Sequence, residues 1–223
     1  MDISVLSRFA RKILINTWEL YEEAKWLNKL GHYARAYALA HLAVEEYAKL
    51  TLLSFVAMDV FEGKEITSEY LHSIFTGRLF RDHKYKLRIA FLKFPSFDYQ
   101  TTIQYANQLN EYKNKSLYSD IMEDHFFKPS DLFNKDRSST MIEVVSNLLQ
   151  KYIKEMGIKT LKKIKNVDEA VFFDYFNRLS KLFMVNKIAP LPTNINHVDY
   201  LLKSIKNQDT YDNLKLILNA YKQ

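Results

Sequence analysis

Three ionisable residues occupy positions at which the helical periodicity of the sequence predicts apolar residues. Glu46, His83 and Lys113 each lie on a predicted helix face that is otherwise apolar. Burying an unpaired charge is very costly, so these groups must pair with one another or line a cleft. A carboxylate, an imidazole and an ammonium group together can hold a phosphate and move a proton. The structural alternative is a buried ion pair, from Glu46 to Lys113 or to His83, that only fixes helix register. Both interpretations stay open.

Other residue patterns give weaker signals for catalysis. His41 and Glu45 lie four residues apart and could share a ligand-binding face, but the neighbours of His41 are more typical of a packed core histidine. Glu69 and His72 form a single Glu-x-x-His motif, whereas a di-iron helical bundle uses two. The chain has no cysteine and only four scattered glycines, which excludes thiolate chemistry, iron–sulfur clusters and a glycine-rich phosphate loop. The sequence therefore predicts no metal site and no cofactor.

Basic residues are unevenly distributed along the chain, whose formal net charge is +6. One basic segment, in which Asp82 is the only acidic residue, contains Arg78, Arg81, Lys84, Lys86 and Arg88. A second basic run follows Gly157 and contains Lys159, Lys162, Lys163 and Lys165. Basic stripes interleaved with aromatic residues suit contact with a phosphate backbone, although a solvated helix face ranks ahead of that interpretation.

Helices must position these residues. Of the 223 residues 48% are hydrophobic, while glycine and proline number four each, so the chain can form a core but has few turn residues. Apolar residues recur at steps of three and four, which predicts an all-α fold. The predicted helices cover about 6–30, 33–61, 67–77, 79–94, 99–122 and 138–156, with a loop over 123–137 and a further helix from Asp168.

The predicted helices divide the chain into two parts. Residues 1–165 form a helical bundle, and 166–223 form a helical C-terminal extension packed on it. Residues 1–12 lack the apolar core of a signal peptide, so a cytoplasmic protein is expected. The longest apolar stretch, 50–61, is too short to span a bilayer, and no membrane partner is expected.

Three motifs, in order along the chain, resemble the AbiV abortive-infection family. The first is 31–40 (Gly-His-Tyr-Ala-Arg-Ala-Tyr-Ala-Leu-Ala) with 45–49 (Glu-Glu-Tyr-Ala-Lys), the second is 82–87 (Asp-His-Lys-Tyr-Lys-Leu), and the third is 113–118 (Lys-Asn-Lys-Ser-Leu-Tyr). The similarity covers about residues 10–155. AbiV proteins are similar to the wider HEPN superfamily of four-helix bundles, many of which are ribonucleases in toxin–antitoxin, CRISPR and phage-defence systems. The resemblance implies a HEPN-like four-helix bundle with a short helical C-terminal extension.

The third motif departs from the HEPN signature, in which Arg is followed by a polar residue such as Asn and, four to six residues on, by His. Lys113 and Asn114 stand at the Arg-Asn position, and Tyr118 stands where the histidine would be. Lysine is a flexible point charge without the bidentate grip of arginine, and a tyrosine hydroxyl is a poor general base at neutral pH. His83 would supply the missing acid–base group if it reaches the same cleft.

The leading hypothesis is an abortive-infection toxin that cuts RNA as a metal-independent endoribonuclease. In this hypothesis Lys113 and Lys86 hold the phosphate, and Asn114 orients it. Tyr118 and His83 transfer protons, while Glu46 pairs with a cation and sets its geometry. These side chains are expected to converge in one cleft, and the basic residues that bind the RNA are Arg78, Arg81, Lys84, Lys86 and Arg88.

The alternative hypothesis is a non-catalytic HEPN module that binds RNA, a nucleotide or a protein partner. The same polar residues would then form a structural core. The resemblance further implies a homodimer with residues 113–118 at its interface, and an antitoxin or a phage protein as a possible second partner.

Overall fold

The computed structural model describes residues 2–61, 63–76, 83–91, 99–122 and 125–185, and this part of the chain has the predicted all-α fold. The helices are α1 (Ile3–Lys29), α2 (Tyr33–Phe61), α3 (Ser68–Thr76), α4 (His83–Phe91), α5 (Tyr99–Leu117), α6 (Pro129–Leu132), α7 (Lys135–Glu155) and α8 (Glu169–Val185), with a 3-10 helix at Leu161–Asn166. Strands β1 (Asp120–Met122) and β2 (His125–Phe127) pair antiparallel. No described helix is both long and apolar enough to cross a membrane.

Helix α1 begins and ends where its local sequence dictates. The Asp2 carboxylate accepts hydrogen bonds from the backbone N–H groups of Ser4 (2.9 Å) and Val5 (3.1 Å), which have no partner within the helix. Beyond the other end, Gly31 has a φ of +82°, a conformation that favours glycine. The predicted end of the first helix near residue 30 is confirmed.

Helix α2 is the central helix of the bundle. It packs against α1, α4, α5, α7 and α8, so most of its circumference is covered. The side chains of Ala36, Ala40 and Ala43 have no exposed surface, and their small size lets neighbouring helices approach closely. An ionisable residue on the covered part of this helix therefore needs a partner from a neighbouring helix.

The predicted boundaries after α5 are wrong. The sequence pattern predicts one helix over 99–122 and a loop over 123–137, but α5 ends at Leu117 and β1, β2, α6 and the first turn of α7 follow. The Asp120 carboxylate accepts a hydrogen bond from the backbone N–H of Ile121 (2.8 Å), and such local bonds compete with helix continuation. Pro129 suits the first position of α6, where its missing N–H is not needed.

Helix α8 begins at the predicted place, just after Asp168. The Asp168 carboxylate accepts a hydrogen bond from the backbone N–H of Ala170 (3.0 Å), as a helix cap does. Helix α8 packs against α1 and α2. The remainder of the predicted extension, 186–223, lies outside the described residues.

Candidate functional site

A buried carboxylate, that of Glu45, is the centre of a polar cluster between helices. Nδ1 of His83 lies 2.7 Å from both of its oxygens. Nζ of Lys86 lies 3.2 Å from Oε2, while Nζ of Lys113 lies 3.6 Å and Nε2 of His41 lies 3.2 Å from Oε1. One carboxylate thus contacts two ammonium groups and two imidazoles. These five residues are called the Glu45 cluster below.

Three helices supply the Glu45 cluster. His41 and Glu45 lie one turn apart on α2, so they share a face of that helix. His83 and Lys86 lie three residues apart on α4, which packs against α2. Lys113 comes from α5, which packs against both α2 and α4. The cluster therefore assembles only when these three helices are docked together.

The contacts within the cluster keep Glu45 ionised. Burial alone would raise the pKa of this carboxyl, but the contacts with His41 and His83 and the charge of Lys86 outweigh burial and lower the pKa to about 2. Desolvation lowers the pKa of the His41 imidazole, which has no exposed surface, despite its contact with Glu45. At neutral pH one carboxylate therefore faces two ammonium groups, so the cluster has a net positive charge.

His83 is the member of the cluster that solvent reaches most. Its side chain is 45% exposed, whereas those of Glu45 and Lys113 are each 6% exposed. Nδ1 faces an ionised carboxylate, which can only accept a hydrogen bond, so Nε2 is the ring nitrogen that is not engaged with Glu45. Enzymes orient a histidine as a general base by this kind of carboxylate–imidazole pair. The pair formed by Glu45 and His83 can thus move a proton at the edge of the bundle.

The chemistry of the cluster favours an anion over a metal ion. Two ammonium groups lie 3.2 and 3.6 Å from the carboxylate, and they would repel a cation placed on it. Among the described residues, no three or more metal-ligating side chains are grouped so that they could hold an ion. The Glu-x-x-His pair, Glu69 and His72, is exposed. A phosphate oxygen matches the charge of the site.

The buried carboxylate belongs to Glu45, so the prediction that Glu46 occupies this place is wrong. Glu46 is partly exposed, and one of its carboxylate oxygens lies 2.6 Å from Nζ of Lys49 within α2. One residue turns a helix by about 100°. Because α2 is covered on most sides, the apolar neighbours did not distinguish the two glutamates. The informative signal was the spacing of four residues between His41 and Glu45.

The other predicted catalytic residues divide into two groups. His83, Lys86 and Lys113 converge, as expected. Asn114 is exposed, and Tyr118 lies past the end of α5 with 66% of its surface exposed. Positions one and five residues after Lys113 are turned by about 100° and 140° on a helix, so their side chains leave the cluster. The expected convergence of Tyr118 is therefore wrong within one chain.

Of the basic residues predicted to bind RNA, only one belongs to the Glu45 cluster. Lys86 is turned toward Glu45, and Lys84 is exposed. Arg88 is partly buried, with its guanidinium carbon 5.1 Å from the centre of an aromatic ring of the same helix. Arg78 and Arg81 lie outside the described residues.

An exposed apolar surface begins where α5 ends. The exposed fractions of Leu117, Tyr118, Ile121 and Phe126 are 46%, 66%, 57% and 83%. Ile121 and Phe126 are directly opposed across β1 and β2, so their side chains project from the same side of the strand pair. These four residues are called the apolar strand surface below. Exposed apolar residues grouped in this way are typical of a protein–protein contact.

A cavity of about 540 Å³ lies beside the same end of α5. Ser116 and Leu117 line it together with the start of α2 and the segment that leads into α6. The described residues that line it include the basic Arg35 and Lys128, and none of those described residues is acidic. A cavity of this size and charge suits a nucleotide-sized anion.

Comparison with known families gives one match. The model of the AbiV family, a HEPN-type family, matches residues 5–150, a span that contains every member of the Glu45 cluster. No curated protein and no solved structure matches the chain.

Proposed function

This chain belongs to the AbiV family of HEPN-type abortive-infection proteins, and we propose that it acts on RNA as a metal-independent endoribonuclease. The observation that carries the proposal is the contact between His83 and Glu45. A half-exposed imidazole is held at Nδ1 by a buried, ionised carboxylate (2.7 Å), beside two ammonium groups. This arrangement supplies a general base and a positive environment for a phosphate.

The proposed reaction uses the nucleophile that RNA itself carries. Nε2 of His83 takes the proton from a 2′-hydroxyl, and the 2′-oxygen attacks the adjacent phosphorus. The bond from phosphorus to the 5′-oxygen breaks, that oxygen takes up a proton from water, and His83 returns the proton it accepted to solvent. The products are a 2′,3′-cyclic phosphate and a 5′-hydroxyl. No oxidant, metal ion or cofactor is needed to balance this transesterification.

The two lysines have different parts in this proposal. The Lys86 side chain is 15% exposed and can contact a phosphate bound next to the His83 imidazole. The Lys113 side chain is only 6% exposed, and its Nζ lies 3.6 Å from Oε1 of Glu45, whereas Lys86 contacts Oε2. We therefore assign Lys113 as a positioning residue, which fixes the carboxylate and adds positive charge behind it.

A homodimer would bring Asn114 and Tyr118 into the proposal. Both side chains are exposed, and Tyr118 belongs to the apolar strand surface. A two-fold interface is self-complementary, so a second copy could cover this surface with its own. In the dimer, Tyr118 of one copy and its neighbour Asn114 would reach the RNA bound at the other copy. The 540 Å³ cavity beside α5 would take a flanking nucleotide.

One observation favours the alternative of a non-catalytic binding module. Lys113 is almost completely buried and paired with Glu45, as in an ion pair that only docks helices. Such a module would bind RNA or a protein partner through its surface, and the Glu45 cluster would be a structural core.

Cleavage of labelled RNA in EDTA tests the proposal. The full chain should cut RNA and leave 2′,3′-cyclic phosphate ends, and it should leave 2′-O-methyl RNA intact because the nucleophile is blocked. The double variant Lys113→Ala/Tyr118→Phe should cut at least about ten-fold more slowly. Cleavage of 2′-O-methyl RNA, or 3′-hydroxyl ends, would contradict the proposed chemistry. RNA binding with no cleavage above that of the double variant would support the binding module.

A further inference from the structure

The second basic run of the sequence lies in a short ordered segment remote in sequence from the Glu45 cluster. Residues Leu161–Asn166 form a 3-10 helix, in which every third residue falls on the same face. One such face is apolar and turned inward, since Ile164 has no exposed surface and Val167 is 6% exposed. The lysines of this run are all exposed, namely Lys159, Lys162, Lys163 and Lys165.

Contacts from α1 hold this segment in place. Nε of Arg11 donates a hydrogen bond to the carbonyl oxygen of Val167 (2.7 Å). Nζ of Lys165 lies 4.8 Å from the ring centre of Trp18. Together with the burial of Ile164, these contacts fix the backbone from which the other lysines project. A ligand would therefore bind a preformed surface and would not have to order a loop.

Neighbouring carboxylates are engaged elsewhere. The Glu169 carboxylate lies 3.7 Å from Nε of Arg8, and the Asp168 carboxylate caps α8. Within the part of the chain that the structure describes, no carboxylate lies within ion-pair distance of Lys159, Lys162 or Lys163. This surface therefore carries an excess of positive charge. An anionic ligand would reduce the repulsion between its ammonium groups.

We propose that Lys159, Lys162 and Lys163 form a second RNA-binding surface, called the lysine surface below. The 3-10 helix packs against α1 and α7, whereas the Glu45 cluster lies where α4 and α5 meet α2, so different helices build the two sites. Lys162 and Lys163 project from the 3-10 helix and Lys159 from the segment that leads into it, so five residues of chain carry three exposed ammonium groups that a phosphate backbone can contact. Such contacts are independent of base sequence and hold the strand outside the cleavage site. The choice of RNA as the ligand rests on the proposed function.

Salt dependence of RNA binding tests this proposal without relying on cleavage. The probe is a labelled single-stranded 2′-O-methyl RNA, and the protein is the full chain. The test variant is Lys159→Gln/Lys162→Gln/Lys163→Gln, which removes three charges, keeps a polar side chain at each position and leaves Lys165 on Trp18. The control variant loses the same charge at exposed lysines elsewhere, with Lys29→Gln/Lys135→Gln/Lys181→Gln.

The test variant should bind RNA more weakly, and the slope of log affinity against log salt should become shallower by about 2, because three phosphate contacts are lost. The control variant should keep the original slope. Equal slopes for the two variants, with RNA binding present, would overturn the lysine surface and leave the proposed function standing. Absence of RNA binding by the unaltered chain would overturn both. Binding to phosphatidylserine vesicles that only the test variant loses, with an unchanged RNA slope, would show that the surface faces a membrane instead.

Discussion

Nδ1 of His83 lies 2.7 Å from both oxygens of the Glu45 carboxylate, although the two residues are 38 positions apart and belong to α4 and α2. The contact has two consequences. It docks α4 on the central helix, and it fixes the imidazole so that its second nitrogen is available to a substrate. The same contact therefore contributes to the stability of the fold and to the proposed chemistry, and variants of Glu45 should affect both.

Replacing Glu45 should destabilise the fold far more than replacing Glu46. Glu45→Gln leaves two ammonium groups and two imidazoles without their carboxylate partner, which should lower the free energy of unfolding by about 3 kcal/mol or more. Glu46→Gln removes only a partly exposed contact with Lys49 within one helix, worth about 0.5 kcal/mol or less. Urea unfolding of the two variants makes the comparison. Equal losses would mean that the Glu45 cluster does not hold the helices together.

The stability of the fold should decrease in acid in two stages. Folding lowers the pKa of Glu45 from 4.5 to about 2, so its contribution, about 3 kcal/mol, is fully present above pH 4.5 and is lost as the pH falls toward 2. Folding also lowers the pKa of His41 below its ordinary 6.5, so the cost of keeping this residue neutral begins below pH 6.5. Unfolding free energies measured from pH 7 down to pH 3 should decrease below pH 6.5 and decrease again below pH 4.5.

His41→Gln separates the two stages. The variant has no imidazole to titrate, so its unfolding free energy should change less between pH 6.5 and 5 than that of the unaltered chain, while the loss below pH 4.5 remains. An unchanged slope above pH 5 would show that His41 is not the group responsible.

The sequence predicted the helices best where local chemistry sets their limits. Gly31 marks the end of α1 because its backbone adopts a positive φ, and the alanines of α2 mark the central helix because close packing needs small side chains. Both features depend on residue type and can be recognised without knowing the tertiary structure. The end of α5 was missed because a single hydrogen bond at Asp120 competes with a weak periodic pattern.

The sequence predicted only part of the site, because some of its residues stand out locally and others depend on how the helices dock. His83 and Lys113 stand out because each is a single polar residue on an apolar face, and both lie in the cluster. Choosing between Glu45 and Glu46 required knowing which sides of α2 are covered by α4 and α5, and that depends on how the helices dock. Tyr118 was misplaced because a motif taken from a resemblance gives residue types and spacing, while the register at the helix end decides which way a side chain points.

The apolar strand surface should mediate self-association. Light scattering at micromolar concentration should report about twice the 26.4 kDa chain mass, because a second copy would bury the exposed side chains of Ile121 and Phe126. Ile121→Ser/Phe126→Ser should return the mass to that of one chain. Trp26→Ser, a change at a 62% exposed aromatic residue of α1, serves as the control and should leave the dimer intact. A single-chain mass for the unaltered protein would contradict this prediction.

The central claim is that His83, held by Glu45, acts as the general base in RNA cleavage, and the rate of RNA cleavage in EDTA by His83→Gln tests it most directly. The variant keeps a polar side chain at a partly exposed position, so urea unfolding should confirm that it remains folded. His72→Gln, at an exposed histidine of α3, is the matched control. The unaltered chain and the control should cut RNA at the same rate, and His83→Gln should cut it at least about 100-fold more slowly. Cleavage by His83→Gln at the rate of the control would contradict the claim.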